Sequence, residues 1–310
     1  MYEAPPAETQ LGAAPRREWL KGLALMALSA GSFGTLAIFA RQAYAAGADP
    51  PTVLFLRFSI AALVMVGVML ARGLPWPRGK LLAALLALGG LGYVGQSLAF
   101  FTALTMAPAS LVALLLYLYP VIVTVGARVF FNEPLGAAKL GALALALAGT
   151  VLTIGTAAES PQGTAPLGIA LGVGAALIYS VYIMTGSRVT PQAGPIPSST
   201  VIMGAAALVY GAMVAARGPV FPAGAGGWLA IAGIALISTV VAIVCFFAGM
   251  ERIGPVNAST LSAVEPAVTV ILAALILREQ VTPLQVAGGA LILAAVVLLA
   301  RAGAQPAAAG

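Results

Sequence analysis

Over most of the 310 residues, apolar positions follow one another without the alternation of a half-buried strand or the polar face of a soluble helix. A helix that crosses a bilayer needs about 20 mainly apolar residues. Reading between charges and Pro/Gly breaks gives ten such stretches: 20–40, 52–71, 81–105, 109–131, 136–156, 166–187, 198–216, 227–250, 256–277 and 282–300. Unbroken apolarity is not the period-two pattern of a membrane β-barrel. The predicted fold class is an all-α integral membrane protein with ten transmembrane helices. Loops are short, Met106-Ala107-Pro108 being the extreme, and hold no soluble domain. The Ala/Pro/Gly-rich tails 1–17 and 302–310 are expected to be disordered and cytoplasmic.

Composition agrees and narrows the chemistry. The chain is 61% hydrophobic and 8% charged, with mean hydropathy +1.04, whereas a soluble domain carries about 25% charged residues. An ordinary soluble enzyme is therefore excluded. With no histidine and the single Cys245, an intrachain disulfide, a His/Cys metal site and a His-based catalytic triad are excluded too. Cys245 lies within an apolar run and reads as a small buried hydrophobe. No phosphate-binding GxxxxGK[ST] loop occurs, so ATP-driven transport by this chain is not expected. No cofactor or metal is expected.

The net charge of +6 is topology information rather than a nucleic-acid patch, because the bases stand singly or in pairs at the edges of apolar runs. With the N-terminus inside, Arg16, Arg17, Lys21, Arg72, Arg78, Lys80, Arg128, Lys139, Arg188, Arg252 and Arg301 fall on the inner side. Only Arg41, Arg217 and Arg278 fall on the outer side, and Arg57 sits within a span. The bias places both termini in the cytoplasm of a multi-pass protein of the cell (inner) membrane.

The chain also repeats itself. The segment from Phe101, FTALTMAPASLVALLLYLYPVIVTVGARVFFNEPL, aligns at one constant offset with that from Phe247, FAGMERIGPVNASTLSAVEPAVTVILAALILREQV. Pro120 then matches Pro266 and Glu133 matches Glu279. Ala/Leu-rich runs align by accident; a shared Pro-to-Glu spacing does not. The expected units are 18–156 and 157–301, of five helices each. An odd number of spans puts the second copy upside down, as in secondary transporters whose site lies near the midplane between inverted repeats.

These paired motifs, with GSFGTLAIFARQ in the first span and LRFSIAAL in the second, resemble the EamA-type repeat of the drug/metabolite transporter superfamily. The resemblance spans roughly residues 20–300 and implies a ten-helix exporter of small metabolites. The aromatic belts also look like the amino-acid exporter branch.

Within the spans a few residues stand out. Pro120 and Pro266 each remove a backbone N–H, freeing the carbonyls of Leu116 and Ser262, and are expected to act as paired gating hinges. Glu265, ten residues into its expected span, would lie ~15 Å deep, so it must be protonated, paired or in a water-filled cavity. Ser262, Glu265 and Thr269 would share one helical face. Arg57 either snorkels to the outer interface or points inward, to bind a carboxylate or pair with Glu265. Tyr93, Gln96 and Phe100 share a face of the third span, Ser110, Tyr117 and Thr124 a stripe of the fourth, and Tyr179 and Tyr182 a face of the sixth. The expected substrate-binding set is Tyr93, Gln96, Tyr117, Tyr179, Tyr182, Ser262, Glu265 and Arg57. Tyr119 and Glu265 hold equivalent repeat positions just before their prolines. Gly168-x-x-x-Gly172 and glycines 89, 90, 92 and 95 are read as helix-packing positions.

The leading reading is a secondary exporter of small zwitterions, amino acids first, acting as a monomer in the lipid bilayer. One mid-span acid fits proton antiport or facilitated diffusion alike. Drugs, nucleotide sugars and lipid-linked metabolites remain the alternative cargoes; a polyanionic nucleotide sugar should want more inward bases than this chain offers.

Overall fold

The computed structural model describes residues 13–131, 136–155, 164–262 and 264–304. Among them there is helix and no strand. Seven helices are long and apolar enough to cross a membrane, and three shorter apolar ones, Ala137–Thr153, Glu265–Ile276 and Pro283–Leu299, complete the set. Large apolar side chains such as Leu63, Leu91, Leu208 and Leu275 are 73–76% exposed. A surface of this kind suits hydrocarbon and not water. The protein is an all-α, multi-pass membrane protein.

Local sequence sets where the helices begin and end. The second span, Pro50–Ala71, opens with Asp49, whose carboxylate accepts the Thr52 N–H at 3.1 Å, and with proline in its first turn, a stable N-terminus. The seventh, Pro195–Arg217, stops at Gly218, whose φ of +82° suits a residue without a β-carbon.

Several spans are interrupted. The first consists of Ala13–Gly34 and Leu36–Ala45, parted at Thr35. The fourth consists of Ala109–Leu116 and Tyr119–Phe131. In the third, Gly79–Ala87 and Val94–Ala103 flank a π-helical turn, Leu88–Tyr93. In the eighth, Gly224–Ala232 and Ala242–Ser262 flank a longer one, Gly233–Val241.

Two expectations need correction. The eighth helix does not end at 250 but continues to Ser262, and the next helix begins at Glu265 rather than 256. One proline, Pro255, removes a single donor. Arg252 on this helix donates through Nε to Glu18 of the first span at 3.3 Å, and through Nη1 to the Ala248 carbonyl of its own helix at 2.6 Å. The two prolines expected as hinges stand at breaks between half-helices. Pro120 and Pro266 lie in the first turn of new half-helices, where a missing N–H costs no intrahelical bond.

Packing reveals a pseudo-two-fold arrangement. The second span packs on the seventh and the fifth on the tenth, each pair joining repeat equivalents. The first packs on the eighth, and the sixth on the third, the same contact with repeats exchanged. The glycines give its register. A β-carbon at Gly22 would run into Arg252 and Ile253; one at Gly168 would run into Met106 and Ala107. All three correspondences share the offset that carries Phe101 onto Phe247. The fifth and tenth spans touch backbone to backbone, since a β-carbon on Gly149 would sit 2.5 Å from the Gly288 carbonyl oxygen.

Candidate functional site

A cavity of about 410 Å³ opens between the two repeats, within the ~300–1,000 Å³ of small-molecule sites. Its walls come in equivalent pairs: Phe33 and Tyr179, Leu36 and Tyr182, Arg57 and Met203, Ser97 and Ile243, Phe100 and Phe246, Leu116 and Ser262, Tyr119 and Glu265. A cavity lined twice over by the same positions sits on the pseudo-two-fold axis. Within the pairs the chemistry differs, so the cavity is symmetric in shape and asymmetric in charge. The base comes from the first repeat and the acid from the second.

The aromatic rings form one connected wall. Tyr117 meets Tyr119 edge to face at 5.9 Å between centroids, and Tyr119 meets Tyr179 at 4.8 Å. Tyr179 stacks on Tyr182 at 5.8 Å, and Tyr182 on Tyr93 at 5.4 Å. Tyr93 then meets Phe58 at 5.3 Å. Such offset and edge contacts each add roughly 0.5–1.5 kcal/mol beyond area burial. At one end, Tyr117 lies beside the Glu265 carboxylate. At the other, the Arg57 guanidinium carbon stands 4.9 Å from the Phe58 ring centroid and 5.5 Å from that of Phe101, within cation–π range.

All eight residues expected to bind substrate line this cavity. Gln96 is carried inward on Val94–Ala103, the half-helix that follows the third-span π turn. Arg57 does not snorkel: it is 3% exposed, and its Nε donates to Thr239 Oγ at 3.0 Å. Nor does it pair with Glu265; among the described residues, the ion pairs at the first span join Glu18 to Lys21 and Arg252. Glu265 opens the half-helix Glu265–Ile276, at the end where the helix dipole favours negative charge.

Three expected neighbours fall elsewhere. Thr269 does not continue a polar stripe from Ser262, because the helix breaks between Ser262 and Glu265; its hydroxyl donates to the Gly34 carbonyl at 3.0 Å, between the ninth and first spans. Ser110 is buried against Glu279. Thr124 donates to the Pro120 carbonyl of its own helix at 2.8 Å. The fourth-span stripe is broken because the helix itself breaks after Leu116.

Other residues take their place at the site only in three dimensions. Phe58, Phe101 and Tyr119 complete the aromatic wall. The carboxylate of Glu279 accepts the Ala109 N–H at 2.7 Å, the Ser110 N–H at 3.1 Å and the Ser110 hydroxyl at 2.7 Å. Gln285 Nε2 donates to the same hydroxyl at 3.0 Å. In sequence Glu279 served only as a repeat marker; its partner Glu133 lies outside the described residues.

Comparison with known proteins agrees with this architecture. The EamA-like transporter family matches twice, over residues 20–155 and 166–301. An uncharacterized transporter of Archaeoglobus fulgidus is 27% identical over 282 residues, 90% of this chain and 96% of its own length. The uncharacterized transporter sll1319 of Synechocystis is 27% identical over 208 residues, and there the match spans 64% of this chain and 61% of the relative. The aromatic amino acid exporter YddG of Ancylobacter novellus is 29% identical over 220 residues, 66% of this chain and 72% of that protein. A solved crystal structure shares the fold with a TM-score of 0.65 at 24% identity, over 91% of this chain and 97% of that one. With both halves matched and a cavity between them, this chain belongs to the EamA-like transporter family.

Proposed function

We propose that this protein is a secondary exporter of small zwitterionic metabolites, first of all amino acids with aromatic or bulky hydrophobic side chains. The observation that carries the reading is the wall of rings running from Glu265 and Tyr117 to Phe58 and Arg57. Glu265 takes the substrate's ammonium group and Arg57 its carboxylate, while Tyr93, Tyr179 and Tyr182 pack along the side chain and Gln96 and Ser262 supply polar contacts. The name of the Ancylobacter relative, an aromatic amino acid exporter, supports the same cargo. A single base in the cavity disfavours polyanions such as nucleotide sugars.

Alternating access follows from the inverted repeats, with the half-helices around Pro120 and Pro266 rocking about the shared cavity. The transporter works as a monomer in the cell (inner) membrane, both termini in the cytoplasm, and Glu265 is the group that would carry a coupled proton.

Counterflow tests the reading. Proteoliposomes preloaded with unlabelled phenylalanine and offered labelled phenylalanine, with no imposed gradient, should accumulate label. Other aromatic and bulky amino acids should compete. No accumulation by protein shown to be folded and inserted would overturn the phenylalanine reading and turn attention to drugs, nucleotide sugars and lipids.

A further inference from the structure

The proposed carboxylate site at Arg57 depends on how its guanidinium is held. Thr239 lies in the eighth-span π turn, Gly233–Val241, and is fully buried. Its hydroxyl donates to the Ile234 carbonyl at 2.8 Å, five residues back, the spacing of a π turn. A hydroxyl has one proton to give. With that proton committed to Ile234, the oxygen toward Arg57 is an acceptor, which is what the Arg57 Nε–H requires at 3.0 Å. Phe58 and Phe101 meanwhile place rings within 5.5 Å of the guanidinium carbon. With Nε tied back, the terminal edge of the guanidinium is left for the cavity that Arg57 lines. That edge carries the parallel N–H pair that matches a carboxylate in bidentate fashion.

The π turn is itself a repeat feature. Leu88–Tyr93 in the third span falls, at the repeat offset, on 234–239 within the eighth-span turn, so Tyr93 and Thr239 are equivalents. In the first repeat this position places a ring on the cavity wall; in the second it places the acceptor for Arg57.

We propose that Thr239 is a positioning residue: it aims the Arg57 guanidinium into the cavity, so that the terminal nitrogens receive the carboxylate of the substrate. This rests on the zwitterion reading of the cavity and adds the group that sets its selectivity for acids over amines.

The test uses purified full-length protein and three probes: phenylalanine, phenethylamine, which lacks the carboxylate, and 3-phenylpropionate, which lacks the ammonium. Binding is read as the ligand-dependent rise in melting temperature across a concentration series. In Thr239→Val the half-saturating concentration for phenylalanine and 3-phenylpropionate should rise about tenfold, the scale of one lost charge-assisted hydrogen bond. Phenethylamine should be unaffected, and Thr239→Ser should restore the wild-type pattern. Thr239→Ala is read in the same way should the valine variant fail to fold. If Thr239→Val and Thr239→Ala match wild type while Arg57→Gln loses its response to the two acids, the proposal is overturned and the Arg57 reading stands. If folded wild type responds to none of the probes, or responds equally in Arg57→Gln, the zwitterion reading falls and the role of Thr239 with it.

Discussion

The hydroxyl of Tyr117, where the fourth span breaks, donates to the backbone carbonyl of Ser262, the residue at which the helix breaks before Glu265. Their separation is 3.2 Å. A side chain of the first repeat thus donates to the backbone at the helix break of the second. The two broken helices are thereby joined at the cavity. Tyr117→Phe keeps the ring and deletes the donor. It should lower stability by about 1 kcal/mol, seen as a fall in melting temperature, and should slow counterflow more than it raises the half-saturating concentration of phenylalanine. Wild-type melting and exchange would mean that the link between the breaks contributes nothing.

Glu265 is the acid presented to the cavity, at the start of its own half-helix. If it receives the ammonium group, Glu265→Gln exchanges a charge-assisted contact for a neutral one, which about halves its strength. Phenylalanine counterflow should fall at least about tenfold, the scale of a lost hydrogen bond to a charged group. Glu133→Gln, at the repeat position that matches Glu279, should leave exchange near wild type. Wild-type rates for both variants would remove Glu265 from the binding site.

These two residues also mark what could be read from sequence. Membrane burial leaves its record in every residue of a span, so the apolar runs, the repeat and the ring positions Tyr93, Tyr117, Tyr179 and Tyr182 are visible without coordinates. The helix breaks are not. Leu115-Leu116-Tyr117-Leu118 carries no glycine or proline, and the chain leaves the helix about one turn before Pro120, the residue expected as the hinge. The π turn over GIALISTVV is likewise silent, for its residues would suit an α-helix equally. The partners of this turn are distant in sequence: Arg57 on Thr239, and Thr35, whose hydroxyl lies 2.7 Å from that of Ser238. Thr239 was therefore missed, although Arg57 was not.

Glu279 shows the same limit in a stabilising role. It is 5% exposed and accepts three hydrogen bonds from the start of the fourth span. Its carboxylate serves as the N-cap that Pro108, which has no side-chain acceptor, cannot provide. Glu279→Ala would strip partners from two buried N–H groups and a hydroxyl, at a cost on the order of 2–4 kcal/mol. Melting temperature should drop sharply, and Glu279→Gln, which retains an acceptor oxygen, should recover part of it. An unchanged melting temperature in Glu279→Ala would show that the carboxylate is dispensable for holding the two repeats together.

The orientation proposed from the Lys/Arg bias can be tested with the chain's own chemistry. Because Cys245 is the only cysteine, a Cys245→Ala background accepts single reporter cysteines near either terminus. In intact cells both reporters should resist a membrane-impermeant thiol reagent and react once the cells are opened. Labelling of the C-terminal reporter in intact cells would refute ten spans with both termini inside.

The fifth and tenth spans offer a test of packing that is independent of cargo. Apolar burial gives helices little reason to associate in lipid, so close contact must come from small residues that let backbones approach. A β-carbon on Gly288 would lie 2.6 Å from the Gly149 carbonyl oxygen and 2.9 Å from the Thr153 nitrogen. Both are backbone atoms of the facing helix and cannot swing aside as a side chain would. Gly141 lies on the same fifth helix, yet a β-carbon there would meet nothing within 4 Å. Gly288→Ala should therefore part the helices and cost roughly 1–3 kcal/mol, the usual penalty of overpacking. Gly141→Ala should be neutral, or stabilising by up to about 1 kcal/mol from helix propensity. The same one-carbon change is thus expected to destabilise at one position of this helix pair and not at the other, and melting temperatures in a single detergent compare them directly. Equal effects would mean that the fifth and tenth spans do not touch at Gly149 and Gly288, and that the inverted repeats close on one another along another face.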